Sequence, residues 1–109
     1  MTNKLPNYTS FGGWKYDVPN DIFWVYILKN RKGQLYVGQT KGVILRLQRH
    51  NKGDTPQTRD GRPWEIAYTE VCFTREIAVN REKELKNFTA LELQNLITSA
   101  INDFKTLTL

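Results

Sequence analysis

Five side chains in this sequence could together act on a phosphodiester: Tyr26, Tyr36, Arg46, His50 and Glu82. The two tyrosines stand ten positions apart, in Val25-Tyr26-Ile27 and Tyr36-Val37-Gly38. Arg46 and His50, the chain's only histidine, follow within fourteen residues of Tyr36. Phenol and imidazole groups handle protons, a planar guanidinium clamps phosphate charge, and a carboxylate can hold a divalent ion.

The elements that must position them are legible from periodicity. Phe23 to Leu28 is an apolar run rich in aromatic and β-branched residues, as expected of a buried central strand. Gln34 to Gln39 is its expected hairpin partner across the turn signal at Lys32-Gly33. Gly38 ends that strand, where a missing Cβ would let backbone or a substrate phosphate come close. Gly42 to Asn51 reads as a helix with Val43, Ile44 and Leu47 inward and with Arg46 and His50, spaced i and i+4, on a second face. Lys52-Gly53 closes it. Asn51 to Pro63 reads as a polar loop bearing Lys52, Arg59 and Arg62.

Trp64 to Phe73 is the third strand. Thr74 caps a helix running to about Asn87, with Ile77, Ala78 and Leu85 inward. Thr89, with Glu92 in the capping-box position, opens another helix whose apolar face is Leu91, Leu93, Leu96, Ile97 and Ile101. The order predicts an α+β domain over residues 22–103, a small three-stranded, mainly antiparallel sheet flanked by helices. Residues 1–21, with Phe11, Trp14 and Tyr16 among Asn, Ser, Gly and Pro, read as a partly flexible arm whose aromatics dock on the domain; 104–109 are expected to fray.

Composition narrows the class of partner. Sixteen Lys and Arg against eleven acidic residues give a net charge of +5, which favours a polyanion through counterion release. A basic surface kept for solubility is the plainer explanation. A single cysteine and a single histidine exclude an intramolecular disulfide and a structural zinc site. Cys72 lies in an apolar run, where an inert buried thiol is expected. No stretch suits a bilayer span and no signal pattern opens the chain, so a cytoplasmic, intracellular location is expected.

Taken singly, each candidate has an ordinary structural use. Paired tyrosines on neighbouring strands are common cross-strand packing partners. Arg46 and His50 alone are a basic helix face. Glu82 borders an inward stripe, with Arg81, Lys83 and Lys86 available as ion partners. Trp64 reads as core.

Order and spacing jointly resemble the GIY-YIG nuclease family over roughly residues 23–100. Val25-Tyr26-Ile27-Leu28 is similar to its first motif, without the family's glycine, and Tyr36-Val37-Gly38-Gln39-Thr40 to its second. Leu45-Arg46-Leu47-Gln48-Arg49-His50-Asn51 is similar to the helix with the family's arginine. Asn80-Arg81-Glu82-Lys83-Glu84 is similar to the helix with its metal-binding glutamate, Glu84 being the competing carboxylate. Gln39 stands where some repair members carry a lysine. The chain resembles most the small bacterial members, which are similar to the nuclease domain of the excision-repair incision subunit.

The resemblance implies a DNA endonuclease with one Mg²⁺ or Mn²⁺ held by Glu82, Arg46 on the phosphate, and in-line attack by water. Tyr26 would orient or deprotonate that water with help from His50 or Tyr36; which of the three takes the proton is open. Gly38, Arg49, Lys52, Arg59 and Arg62 are the expected nucleic-acid contacts. An attached DNA-reading domain is not expected at this length, so recognition would rest on DNA shape, a protein partner or the N-terminal arm. The rival readings are a structure-specific or RNA-directed nuclease, a nucleic-acid-binding module without catalysis, and a basic interaction domain whose tyrosines only pack.

Overall fold

A computed structural model of the chain describes residues 22–108, with side chains described from 22 to 101. The expected N-terminal arm lies outside the described residues. Strand β1 (Phe23–Asn30) is followed by β2 (Leu35–Thr40), helix α1 (Val43–Lys52), a 3-10 turn (Arg59–Gly61), β3 (Trp64–Cys72), α2 (Arg75–Lys86) and α3 (Ala90–Thr108). The sheet order is β2-β1-β3 and both pairings are antiparallel. This is the α+β architecture expected from the sequence.

As the central strand, β1 is covered on both faces. Alternation sends Phe23, Val25 and Ile27 into a core with Val37, Cys72, Ala78 and Leu85 of α2, and Leu93 and Ile97 of α3. Tyr26 and Leu28 point the other way, packing with Trp64, Tyr36, Leu47 and Ile66 beneath α1. Burial raises the pKa of the Cys72 thiol, in keeping with an inert core residue.

Local signals set the element ends. Gly33 takes φ +81° in the hairpin turn, and Asn30, buried at the end of β1, accepts from the backbone N–H of Lys32 at 3.0 Å and of Gln34 at 2.9 Å. Gly53 ends α1 in the left-handed region at φ +88°. The Thr74 hydroxyl accepts from the Ile77 N–H at 3.1 Å. Thr89 and Glu92 form a reciprocal box, with Thr89 N–H to Glu92 Oε1 at 2.8 Å and Glu92 N–H to Thr89 Oγ1 at 3.1 Å.

Several expectations need correction. Residues 51 and 52 complete α1 and residues 59–61 form a 3-10 turn, so the polar loop is shorter and more ordered than its composition implies. Ile44, Ile77 and Leu91, expected inward, are 62%, 52% and 69% exposed, and Ile101 is also exposed. The helices meet the sheet along narrower stripes than their apolar periodicity spans. The backbone of α3 is helical over Ala90–Thr108. Among the described residues no helix is long and apolar enough to cross a membrane.

Leu85 is fully buried between α2 and the sheet. Leu85→Ala is expected to lower the unfolding free energy by about 2–5 kcal/mol, read from the urea midpoint at unchanged m-value.

Candidate active site

The hairpin register pairs Tyr26 with Gly38 and Leu28 with Tyr36, so both tyrosines face α1. A Cβ on Gly38 would lie 2.5 Å from the Tyr26 hydroxyl oxygen and 2.6 Å from its ring carbon Cζ. The glycine thus makes room for a phenol lying across β2.

Helix α1 brings His50 over this phenol. Tyr26 Oη and His50 Nε2 are 2.9 Å apart and buried. The other ring nitrogen, Nδ1, lies 2.8 Å from the Thr58 hydroxyl. Tyr36 sets its ring edge-on against the same imidazole, with centroids 5.1 Å apart, and also tilts against Trp64 at 6.4 Å. Trp64 is buried and donates its indole N–H to the Thr58 carbonyl at 2.8 Å, which confirms it as core.

Arg46, one turn before His50 on α1, is near enough for its guanidinium to act on the Tyr26 phenol and favour its ionised form. Among the described residues the Arg46 Nε is buried with no hydrogen-bond partner. From α2, Glu82 is near enough for its charge to act on the same phenol. Its carboxylate is 21% exposed and pairs with Lys86 Nζ at 2.9 Å. Glu84, the competing carboxylate, is 59% exposed and pairs at 2.9 Å with Arg81, which also holds Glu70. Tyr26, Tyr36 and His50 therefore meet, with Arg46 and Glu82 near enough for their charges to act on the phenol, and Glu84 is engaged elsewhere.

The electrostatics favour neutral partners. Burial pushes the Tyr26 phenol above its ordinary pKa, the Arg46 guanidinium pulls it back, and the nearby Tyr36 and Glu82 push it up again. Burial, and then the Arg46 charge, hold His50 below the ordinary imidazole value. The phenol keeps its proton at neutral pH, and the imidazole is a free base able to accept one.

The expected nucleic-acid contacts lie on the rim. Arg49 and Lys52 are exposed in the last turns of α1. Arg59 donates from Nε to the Gly53 carbonyl at 2.8 Å, and Arg62 from Nε to the Arg59 carbonyl at 2.6 Å. These two arginines fold the loop and leave their remaining guanidinium donors at an exposed surface.

Three polar residues that carry the site were not singled out from sequence. Thr58 is fully buried against His50. The Asn51 amide donates to the Trp64 carbonyl at 3.0 Å and accepts from the Trp64 N–H at 2.7 Å, tying α1 to β3. The Asn30 amide donates to the Gly61 carbonyl at 3.1 Å, tying the 3-10 turn to the hairpin. Only their residue types, which suit turns and caps, hint at such uses.

Among the described residues there is no cluster of three or more His, Cys, Asp or Glu that could cage a metal. Glu82 alone fits an ion that keeps most of its water and takes phosphate oxygens as further ligands, as Mg²⁺ does. It does not fit a structural metal.

Residues 22–95 match the GIY-YIG catalytic domain. UPF0213 proteins of Staphylococcus aureus strains Mu3 and Mu50 are each 37% identical to this chain over 78 residues, covering 71% of this chain and 95% of the relative. The solution NMR structure of a UPF0213 protein from Bacillus halodurans is similar at 28% identity and a TM-score of 0.47, covering 71% of this chain and 83% of that one.

Gly38→Ala should force the Tyr26 phenol from its place, costing about 1–3 kcal/mol in urea unfolding. The ring resonances of the single histidine should shift in the same variant. The His50 environment also predicts a pH dependence. Folded His50 binds a proton less readily than an unfolded imidazole with its pKa of about 6.5, so its contribution is complete above that pH and is lost as the pH falls towards the lower folded value. Unfolding free energy should decline from about pH 7 downwards, with a smaller decline in His50→Gln, whose side chain does not titrate.

Proposed function

The chain belongs to the GIY-YIG family of catalytic domains, a nuclease superfamily, and we propose that it is a divalent-metal-dependent endonuclease that hydrolyses DNA phosphodiester bonds. The observation that carries this reading is the gathering about one buried phenol, Tyr26, of a neutral imidazole and a guanidinium from α1 and of a carboxylate from α2 whose charge reaches it. A packing role for the tyrosines would not call for Arg46 and Glu82 at the same point.

Each residue has a task that its chemistry supports. Arg46 binds the scissile phosphate, its planar guanidinium fork matching the phosphate oxygens. Glu82 holds Mg²⁺ or Mn²⁺, which when bound supplies Lewis-acid stabilisation of the charge on the phosphate. The Lys86 pair does not prevent this, because it is half-exposed and weak.

Tyr26 orients the attacking water. With its pKa raised by burial, the phenol is a poor base alone. It acts by passing a proton on: as water gives a proton to Tyr26 Oη, the phenol gives its own to His50 Nε2, 2.9 Å away. The hydroxide so formed bonds to phosphorus, and the P–O bond opposite breaks with its electron pair going to the departing oxygen, which takes a proton from solvent. Tyr36 holds the imidazole edge-on. Arg49, Lys52, Arg59 and Arg62 grip flanking phosphates, and specificity comes from DNA shape, from a protein partner or from residues 1–21.

Supercoiled, branched and single-stranded DNA, each incubated with and without Mg²⁺ or Mn²⁺, test the reading. Cleavage should require the metal and fall by roughly 10²-fold or more in Arg46→Ala and Glu82→Ala, with circular dichroism unchanged. Tight, salt-sensitive binding with no cleavage under either metal would sink the nuclease reading in favour of a binding module.

A further inference from the structure

Thr58 lies eight residues beyond His50, in a loop otherwise rich in charged and polar side chains, yet it is fully buried. Its Oγ1 sits 2.8 Å from His50 Nδ1 and 3.3 Å from the Thr55 carbonyl. A hydroxyl has one proton to give and lone pairs to accept with. The Thr55 carbonyl can only accept, so the Thr58 proton turns to it and a lone pair faces Nδ1. That nitrogen must then carry the hydrogen.

The opposite end of the ring gives the same answer independently. The Arg46 guanidinium, whose charge acts on the Tyr26 phenol, has only donors to offer. The acceptor left for the phenol proton is His50 Nε2, at 2.9 Å. A neutral imidazole that accepts at Nε2 is protonated at Nδ1. Both ends therefore specify one tautomer and one direction: Tyr26 O–H to His50 Nε2, His50 Nδ1–H to Thr58 Oγ1, Thr58 O–H to the Thr55 carbonyl.

Thr58 is itself held firmly. Its N–H donates to the Thr55 carbonyl at 3.1 Å, its carbonyl accepts from the Gly61 N–H at 3.1 Å, and it also accepts the Trp64 indole N–H. We propose that Thr58 is a positioning residue whose hydroxyl locks His50 in the Nδ1–H tautomer and so keeps Nε2 open to the Tyr26 proton. This rests on the reading of Tyr26 and His50 as the proton-handling pair. When Nε2 takes that proton, Nδ1–H keeps its bond to Thr58, so the imidazolium is paired at both nitrogens without moving.

With one histidine in the chain, the ¹⁵N resonances of its ring report the tautomer directly, in metal-free protein and without substrate. The wild type should show a protonated Nδ1 and an unprotonated Nε2. Thr58→Val, which keeps the shape and removes the acceptor, should shift the ring towards Nε2–H, and Thr58→Ser should restore the wild-type pattern. Cleavage should fall about 10–100-fold in the valine variant, as for other groups that orient a working histidine, and recover in the serine variant. A wild-type ring protonated at Nε2 would overturn the proposal, as would a valine variant with an unchanged tautomer. If the valine variant does not fold, Thr58→Ala takes its place and is read in the same way. Protein that never cleaves DNA but shows these ring patterns would refute the nuclease reading and leave the role of Thr58 in the tautomer standing.

Discussion

The antiparallel pairing that sets Tyr26 opposite Gly38 decides where a phenol oxygen can lie in this domain. With no side chain standing opposite, the Tyr26 ring lies over β2, and a single Cβ there would occupy the space of its hydroxyl. The rest of the site is arranged about that oxygen. Helix α1 supplies His50 and Arg46, α2 supplies Glu82, and the loop after α1 supplies Thr58. The pairing is strongly determined because β1 is covered on both faces: a slip of one residue would exchange Val25 and Ile27 with Tyr26 and Leu28.

A domain of this size has little apolar core to give up, yet it buries Asn30, His50 and Thr58. Each is hydrogen-bonded, so the desolvation penalty of an unpaired polar group is avoided. The bonds also link segments distant in sequence. Asn30 joins the hairpin to the 3-10 turn, Asn51 joins α1 to β3, and His50 joins β1 to the loop through Tyr26 and Thr58. The same burial raises the phenol pKa and lowers that of the imidazole. An assembly that holds the fold together thereby also holds a proton donor beside a free base.

Charge is divided between the centre and the rim. Arg46 is the cation at the buried phenol, whereas Arg49 and Lys52 sit exposed in the last turns of α1, where the helix dipole favours positive charge. Arg59 and Arg62 continue this basic edge while their Nε atoms brace the loop that carries Thr58. Replacing either arginine therefore alters both surface charge and the support of the site. Lysine at these positions would keep the charge and lose the planar fork.

Local chemistry is what the sequence by itself determined. Alternation along Phe23–Leu28 foretells a strand with two buried faces, and Thr74, Thr89 with Glu92, and Gly53 mark helix ends, because each depends on groups within a few residues. The convergence of Tyr26, Tyr36, Arg46, His50 and Glu82 was visible only as order and spacing matched to a family, since periodicity left each of them an ordinary packing or surface residue. Tertiary structure alone decided the remainder. The exposure of Ile44, Ile77 and Leu91 depends on what covers a helix stripe, which no helix encodes within itself. Glu82 and Glu84 lie on the same short stretch of α2; Arg81 of that helix pairs with Glu84, and Glu70 of β3 across from it holds Arg81. Thr58 meets His50 because the loop folds back, so its hydroxyl is an anonymous loop residue in one dimension and the keeper of a tautomer in three.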